Sequence, residues 1–189
     1  DGEIIFSKKI YDSRTPEQQP NKLKQHFLGH VIKSDEIDDN DVVNLMDFRV
    51  SQDDGLHFMY VLPLGNNELL IESTVFSKNV LEKNWYEDKI NFYIKNNLKI
   101  NNYQLIEEER GILPMYFINN ENDENYINIG SRGGATKVSS GYAFSFFLKK
   151  LKSSSLKTGQ TYHSFWDNWM DRVFVSYLEN NNRTDKIFK

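Results

Sequence analysis

Leu56-His57-Phe58-Met59-Tyr60-Val61-Leu62-Pro63-Leu64 and Glu68-Leu69-Leu70-Ile71-Glu72-Ser73-Thr74-Val75-Phe76 flank the short segment Gly65-Asn66-Asn67. Two runs of aromatic, β-branched and large apolar residues around a Gly/Asn turn predict a β-hairpin, since Gly and Asn tolerate the left-handed backbone of tight turns. The chain before it continues the β pattern. Ile4-Ile5-Phe6 reads as a short strand, and 42–50 as another. The stretch 25–33 (QHFLGHVIK) is β-rich, with Gly29 marking a bulge or a close backbone approach. The polar, two-proline stretch 15–21 and the acidic stretch 35–41 read as loops.

After the hairpin the period changes. Ser77 offers a helix cap, and Leu81, Trp85, Ile90, Ile94 and Leu98 recur at roughly helical spacing. Strands are expected over 103–106 and 112–117, separated by Glu107-Glu108-Glu109-Arg110-Gly111, and a polar turn over 119–125. A short strand over 126–129 leads into Gly130-Ser131-Arg132-Gly133-Gly134. A helix is predicted from Ser139 to about Leu151, interrupted by Ser153-Ser154-Ser155, and a last one over about 161–179. Strands grouped ahead of helices, without a βαβα rhythm, predict the α+β class: a mainly antiparallel sheet with flanking helices.

Composition narrows the function classes. The 189 residues suit one domain or two small ones, and 39% hydrophobic residues are enough for a packed core. A formal charge of -4 argues against a general nucleic-acid surface. The absence of Cys removes disulfides, Cys-ligated metals and thiol catalysis. No apolar run is long enough to span a bilayer. The chain opens Asp1-Gly2-Glu3 without Met, so a piece of a longer protein is expected.

Three features carry chemistry. Glu72 interrupts the apolar run Leu69–Phe76, and two readings stand side by side: a carboxylate on an open strand face, or an acid in an apolar pocket whose desolvation keeps it protonated. Glu107, Glu108 and Glu109 form a like-charge run. Such runs are usually solvated, but carboxylates buried together would split their proton affinities. Gly130 to Gly134 follows a strand and precedes a helix, where bare backbone and free N–H groups favour an anionic ligand; the alternative is an ordinary strand-to-helix turn. His26, His30, His57 and His163 show no metal-ligand spacing, and no metal site is assigned. The last helix is apolar nearly all round, through Phe165, Trp166, Trp169, Met170, Val173, Phe174 and Tyr177. That pattern fits a core, or a surface that docks on protein or membrane.

Several segments, in order, resemble the lycopene cyclase family of flavoproteins, bacterial β-cyclase type. They are Tyr11-Asp12-Ser13-Arg14, Gln25-His26-Phe27-Leu28-Gly29, Leu45-Met46-Asp47-Phe48-Arg49-Val50 and Phe58-Met59-Tyr60-Val61-Leu62-Pro63-Leu64. Further along come Leu70-Ile71-Glu72-Ser73-Thr74, Glu108-Glu109-Arg110-Gly111-Ile112-Leu113-Pro114-Met115 and Ile129-Gly130-Ser131-Arg132-Gly133-Gly134. Thr136-Lys137-Val138-Ser139-Ser140-Gly141-Tyr142 and Trp169-Met170-Asp171-Arg172-Val173-Phe174 complete the set.

The resemblance implies the flavoprotein hydroxylase-like architecture, in which an antiparallel substrate domain interleaves with an FAD-binding domain. The dinucleotide fingerprint that opens such proteins is not in this chain. Residues 1–125 would be the substrate-binding domain. Residues 126–189 would be a returning part of the FAD-binding domain with C-terminal helices. The implied activity is isomerisation of the ψ ends of lycopene to β rings, without net redox change, using reduced FAD with NAD(P)H as its reductant. Glu72 would be the catalytic acid or cation stabiliser, Glu108 or Glu109 the base, and Gly130, Ser131, Gly133 and Gly134 the flavin-proximal turn. The family's hydroxylase relatives place Asp where this chain has Ser131. The carotenoid substrate implies peripheral contact with the inner membrane from the cytoplasmic side. Another FAD-dependent hydroxylase or prenyl reductase, or a non-catalytic apolar-ligand-binding domain, are the alternatives.

Overall fold

A computed structural model describes residues 4, 6–38, 43–118, 124–152 and 162–180. In chain order the elements are β1 (Ile10–Asp12), β2 (Lys24–Lys33), β3 (Asn44–Asp47), β4 (Leu56–Gly65), β5 (Glu68–Ser77), α1 (Lys83–Tyr93), β6 (Gln104–Pro114), β7 (Tyr126–Asn128), α2 (Phe144–Lys152) and α3 (Phe165–Asn180). The α+β class stands, with a mainly antiparallel sheet and flanking helices.

The chain divides into two compact units, Leu23–Ile112, and Asp1–Lys22 with Leu113–Asn180. In the first, five strands lie in the order β3-β4-β5-β2-β6. The hairpin β4–β5 closes at Asn66-Asn67, with φ of 56° and 60°; two consecutive left-handed residues make the turn whose twist suits paired strands. β5 pairs along its whole length with β2, and this register sets Glu72 opposite Gly29 on one side and opposite Tyr60 of β4 on the other.

Side chains alternate across this sheet. Leu69, Ile71 and Val75 of β5, Met59 and Val61 of β4, and Leu28 and Ile32 of β2 face α1, which adds Tyr86, Ile90 and Tyr93. Ile94 continues the helix's buried edge into a π-helical turn over Ile94–Leu98, which ends at left-handed Lys99. Of the helical set expected from sequence, Ile90 and Ile94 are buried, and Leu81, Trp85 and Leu98 pack at the margin. Burying the larger of these side chains contributes about 1.5–3 kcal/mol each.

In the second unit, β1 runs parallel to β7, pairing Ile10 with Tyr126 through Asp12 with Asn128. Lys137 on the loop before α2 reaches Asp171 of α3 at 2.7 Å, so an ion pair ties together two of the family-like segments.

Several local expectations are corrected. Glu107 to Gly111 does not interrupt a strand: β6 runs unbroken from Gln104 to Pro114, because alternation lets its charged residues leave the sheet on either face. Ser77 ends β5 and its Oγ donates to the Asn79 carbonyl, while α1 starts six residues later at Lys83. Gly29 forms no bulge, since β2–β5 pairing passes through it without a shift. Ile4 and Phe6 are exposed and lie outside any strand, and Ile5 is outside the described residues. α2 begins only at Phe144, so Gly130 to Gly134 is a closed turn and not a helix start. Ser153 to Ser155 lies outside the described residues. The assignment of 1–125 and 126–189 to substrate and flavin domains remains a proposal; the packing units are cut differently.

Candidate functional site

Alternation along β6 sends its two central glutamates to opposite faces of the sheet. Glu108 joins the α1 face. Its Oε2 is 2.8 Å from the Lys83 ammonium and 3.6 Å from His30 Nε2. Lys83 also lies 3.4 Å from Glu87 on the next turn of α1. The hydrogen bond and charge of Lys83 hold the Glu108 carboxyl below the usual range, while burial lowers the proton affinity of His30. Oxygens of Glu87 and Glu108 and a ring nitrogen of His30 lie within 4.8 Å of one another. Lys83 already supplies the cation for this cluster.

Glu109 projects from the other face, over Gly29 of β2. A Cβ at Gly29 would stand 2.9 Å from Glu109 Cγ and 3.0 Å from its Oε1. The close approach anticipated at Gly29 is thus made by a side chain. Phe27 and Gly111, one pair along, show the same relation: a Cβ on Gly111 would lie 2.5 Å from the Phe27 ring. Two glycines, one on each strand, make room for the larger neighbour opposite.

Glu72 shares this face. It is half-buried, and the Thr74 hydroxyl, two residues along the same strand, donates to its Oε1. Desolvation pushes the Glu72 carboxyl up to about 7; the Thr74 bond works against this, and the negative charge of Glu109 adds to it. Among the described residues no Lys or Arg forms an ion pair with Glu72. On this face Lys33 is spent on Glu68 at 2.9 Å.

Beside the acid stands an aromatic cluster. The ring of Phe58, fully buried, lies 5.2 Å from Tyr60, 5.3 Å from Phe48 and 5.3 Å from Phe76. Ring faces carry negative quadrupole and attract cations without offering a base or a nucleophile. An acid protonated near neutral pH, next to π faces and away from ammonium groups, can deliver a proton to an apolar substrate and tolerate the cation that results. Of the residues chosen from sequence, the structure therefore brings Glu72 and Glu109 together and turns Glu108 away. Sequence reasoning did not pair the Thr74 hydroxyl with Glu72, and at Gly29 it expected a bulge or close backbone approach where a side chain fills the space. Thr74 was reachable, since i+2 on a strand shares a face.

Gly130, Ser131, Gly133 and Gly134 lie in the other unit. The N–H groups of Gly133, Gly134 and Ala135 donate to carbonyls of Ile129, Ser131 and Gly130, which folds the turn on itself. Gly133 is required by that fold, because a Cβ there would stand 2.5 Å from the Asn128 oxygen. Gly130 differs: with φ of 59°, its missing Cβ would meet nothing nearer than Ser13 at 4.0 Å.

The two Asp-x-Arg segments build matching clasps. Arg49 holds Asp47 through Nε at 2.9 Å and Nη2 at 2.7 Å, with the Tyr93 hydroxyl at 2.6 Å. Arg14 holds Asp12 at 3.0 and 2.8 Å, with the Tyr126 hydroxyl and Arg132 as further partners. Both aspartates are held far below the usual carboxylate range by these bonds, so they are permanent anions that anchor strand ends.

Comparison with known proteins agrees with the fold. The family described as lycopene cyclase protein matches residues 1–172. A geranylgeranyl bacteriochlorophyll reductase-like protein from Thermoplasma acidophilum has a similar fold, with a TM-score of 0.51 at 10% identity. That similarity covers 93% of this chain and 48% of the other, so the chain spans about half the length of that protein. No curated protein matches.

Proposed function

Because this chain belongs to the lycopene cyclase family, we propose that it carries the proton-transfer site of a carotenoid-cyclising isomerase, with Glu72 as the acid. The observation that carries the reading is Glu72 itself, a half-buried carboxyl with no Lys or Arg ion pair among the described residues, pushed up to about 7 and set opposite Tyr60, whose ring packs on Phe58. An ordinary exposed glutamate would be almost wholly ionised at pH 7. Burial holds the proton on Glu72 toward neutral pH.

The chemistry balances with protons alone. Glu72 gives its proton to the terminal double bond of the ψ end. The cation formed is attacked by the next double bond of that end, closing a carbon–carbon bond. The ring cation then loses a proton from carbon, restoring a double bond, and no electrons leave the substrate. Glu109, whose side chain lies over Gly29 on this face, is the candidate to accept that proton. Glu108 is assigned no part, since Lys83 holds it on the opposite face. Phe58, Tyr60 and Phe76 exclude water and offer π faces to the cation.

Reduced FAD, with NAD(P)H as its reductant, belongs to this reading. Open space at Gly130 fits close approach of such a group, and Gly130, Ser131, Gly133 and Gly134 would lie against it. When bound, the reduced flavin would supply electron density without net redox.

No helix among the described residues is long and apolar enough to cross a membrane. A lipid substrate and the exposed Phe165, Trp166, Trp169 and Met170 of α3 support peripheral contact with the cytoplasmic face of the inner membrane. The full-length protein is expected to float with anionic phospholipid vesicles, and Trp166→Ser/Trp169→Ser to float less; a wild-type protein left in the pellet removes this contact.

The central test is Glu72→Gln in the full-length enzyme. Cyclisation is expected to stop while FAD is retained. Normal β-carotene output in a lycopene-accumulating host would remove Glu72 from the mechanism. Stoichiometric NAD(P)H consumption with saturation of a double bond would identify a reductase instead.

A further inference from the structure

β2 presents side chains on both faces along its length except at Gly29, and that gap lies between two carboxyl-bearing residues. Glu72 is its direct partner on β5. From β6, on the other side, the Glu109 side chain lies across the gap, with Cγ and Oε1 at 2.9 and 3.0 Å from where a Cβ would be and Leu70 Cδ1 at 3.2 Å. Any side chain at position 29 would stand between the two acids. Gly29 has no positive φ, so the backbone does not demand glycine; the space does.

We propose that Gly29 is a positioning residue: its bare backbone lets Glu109 lean over β2 toward Glu72, so that the two carboxyl groups work as a coupled donor and acceptor of one proton. This rests on the assignment of Glu72 as the acid. The groups facing Glu72 are Thr74 on its own strand, Tyr60 across on β4, and Glu109 beyond Gly29; Lys33 on β2 is engaged by Glu68. Desolvation is the main force holding the proton on Glu72, and the negative Glu109 adds to it because like charges resist ionising together. After Glu72 has given up its proton, the same repulsion favours return of a proton to the pair from the ring cation, and the site resets without water.

The test compares Gly29→Ala, Glu109→Gln and the double variant in the full-length enzyme, reading the pH profile of lycopene cyclisation. Ala at 29 meets the flexible ends of Glu109 and Leu70, which can swing away, so the sheet is expected to fold. Glu109 is exposed, so Glu109→Gln leaves the fold intact in any case. Each single change is expected to move the inflection of the acid to lower pH, by a fraction of a pH unit, since desolvation of Glu72 remains. That lowers the rate at pH 8 by up to a few-fold. If Gly29 acts through Glu109, the double variant shows no more displacement than Glu109→Gln alone. A Gly29→Ala profile superimposable on wild type, or effects that add fully in the double variant, overturns the proposal while leaving Glu72 as the acid. Retained activity in Glu72→Gln is a different failure, because it removes the acid itself.

Discussion

Glu108 and Glu109 are adjacent in β6 and chemically identical, yet they end in opposite surroundings. Glu108 turns to the face under α1, where Lys83 at 2.8 Å makes its carboxyl a lasting anion. Glu109 turns to the other face, over Gly29, and its charge helps keep the proton on Glu72. A single ammonium group separates the surroundings of the two carboxyls. The pleat decides which residue meets it. The two faces differ in the same way in their neutral groups. Under α1, His26 and His57 are buried and pushed down to about 4, while on the opposite face Glu72 is pushed up to about 7, and desolvation is the main cause in all three. Burial favours the uncharged form, which for an imidazole means losing the proton and for a carboxyl means keeping it.

The largest effect that would sharpen this contrast is on rate. Glu72→Gln should lower cyclisation by about 10²–10⁴-fold, the range for loss of a positioned acid, measured as β-ring formation from lycopene. The same substitution should stabilise the protein. Glu72 has a folded value of about 7 against 4.5 unfolded, so ionisation costs stability as pH rises from 4.5 to 7. Urea unfolding at pH 8 should show Glu72→Gln more stable by at most about 3 kcal/mol, with the gain absent at pH 4. No gain at pH 8 would mean that the carboxyl is not desolvated.

The histidines should respond to pH with the opposite sign. Their folded values lie below the unfolded 6.5, so stability is complete above pH 6.5 and falls as pH drops toward about 4. The loss should be at most about 3 kcal/mol for each. His57 sits between the Ser51 carbonyl and Ser73 Oγ, and His26 between Ser77 Oγ and the Tyr86 hydroxyl. His57→Gln should flatten that acid limb by one histidine's share. An unchanged limb would show that water reaches the ring. The smallest effect belongs to Glu108→Gln: little change in stability, since its Lys83 partner is half exposed, and cyclisation within about twofold of wild type. A loss matching that of Glu72→Gln would break the comparison of the two faces.

Much of the sheet was legible in the amino-acid sequence, for local reasons. Asn66-Asn67 carries its turn in its own backbone preferences, and the apolar runs on either side can only pair. The family-like segments were legible too, and they single out Glu72. Chain order could not rank Glu108 against Glu109, since neighbouring residues in a strand differ only in the face they reach, and β6 itself was read as broken at its charges. Nor could it tell a bulge from a gap at Gly29. That distinction depends on Glu109, distant in the chain and brought close only by the sheet.

From sequence alone came the strand-rich class, the hairpin and a carboxyl set among apolar neighbours, because these follow from propensities and periods within one segment. Tertiary structure alone decided which glutamate leans over Gly29 toward Glu72 and which one a lysine neutralises. Electrostatic environment is a property of neighbours in space, and pairing of β2, β5 and β6 chooses those neighbours.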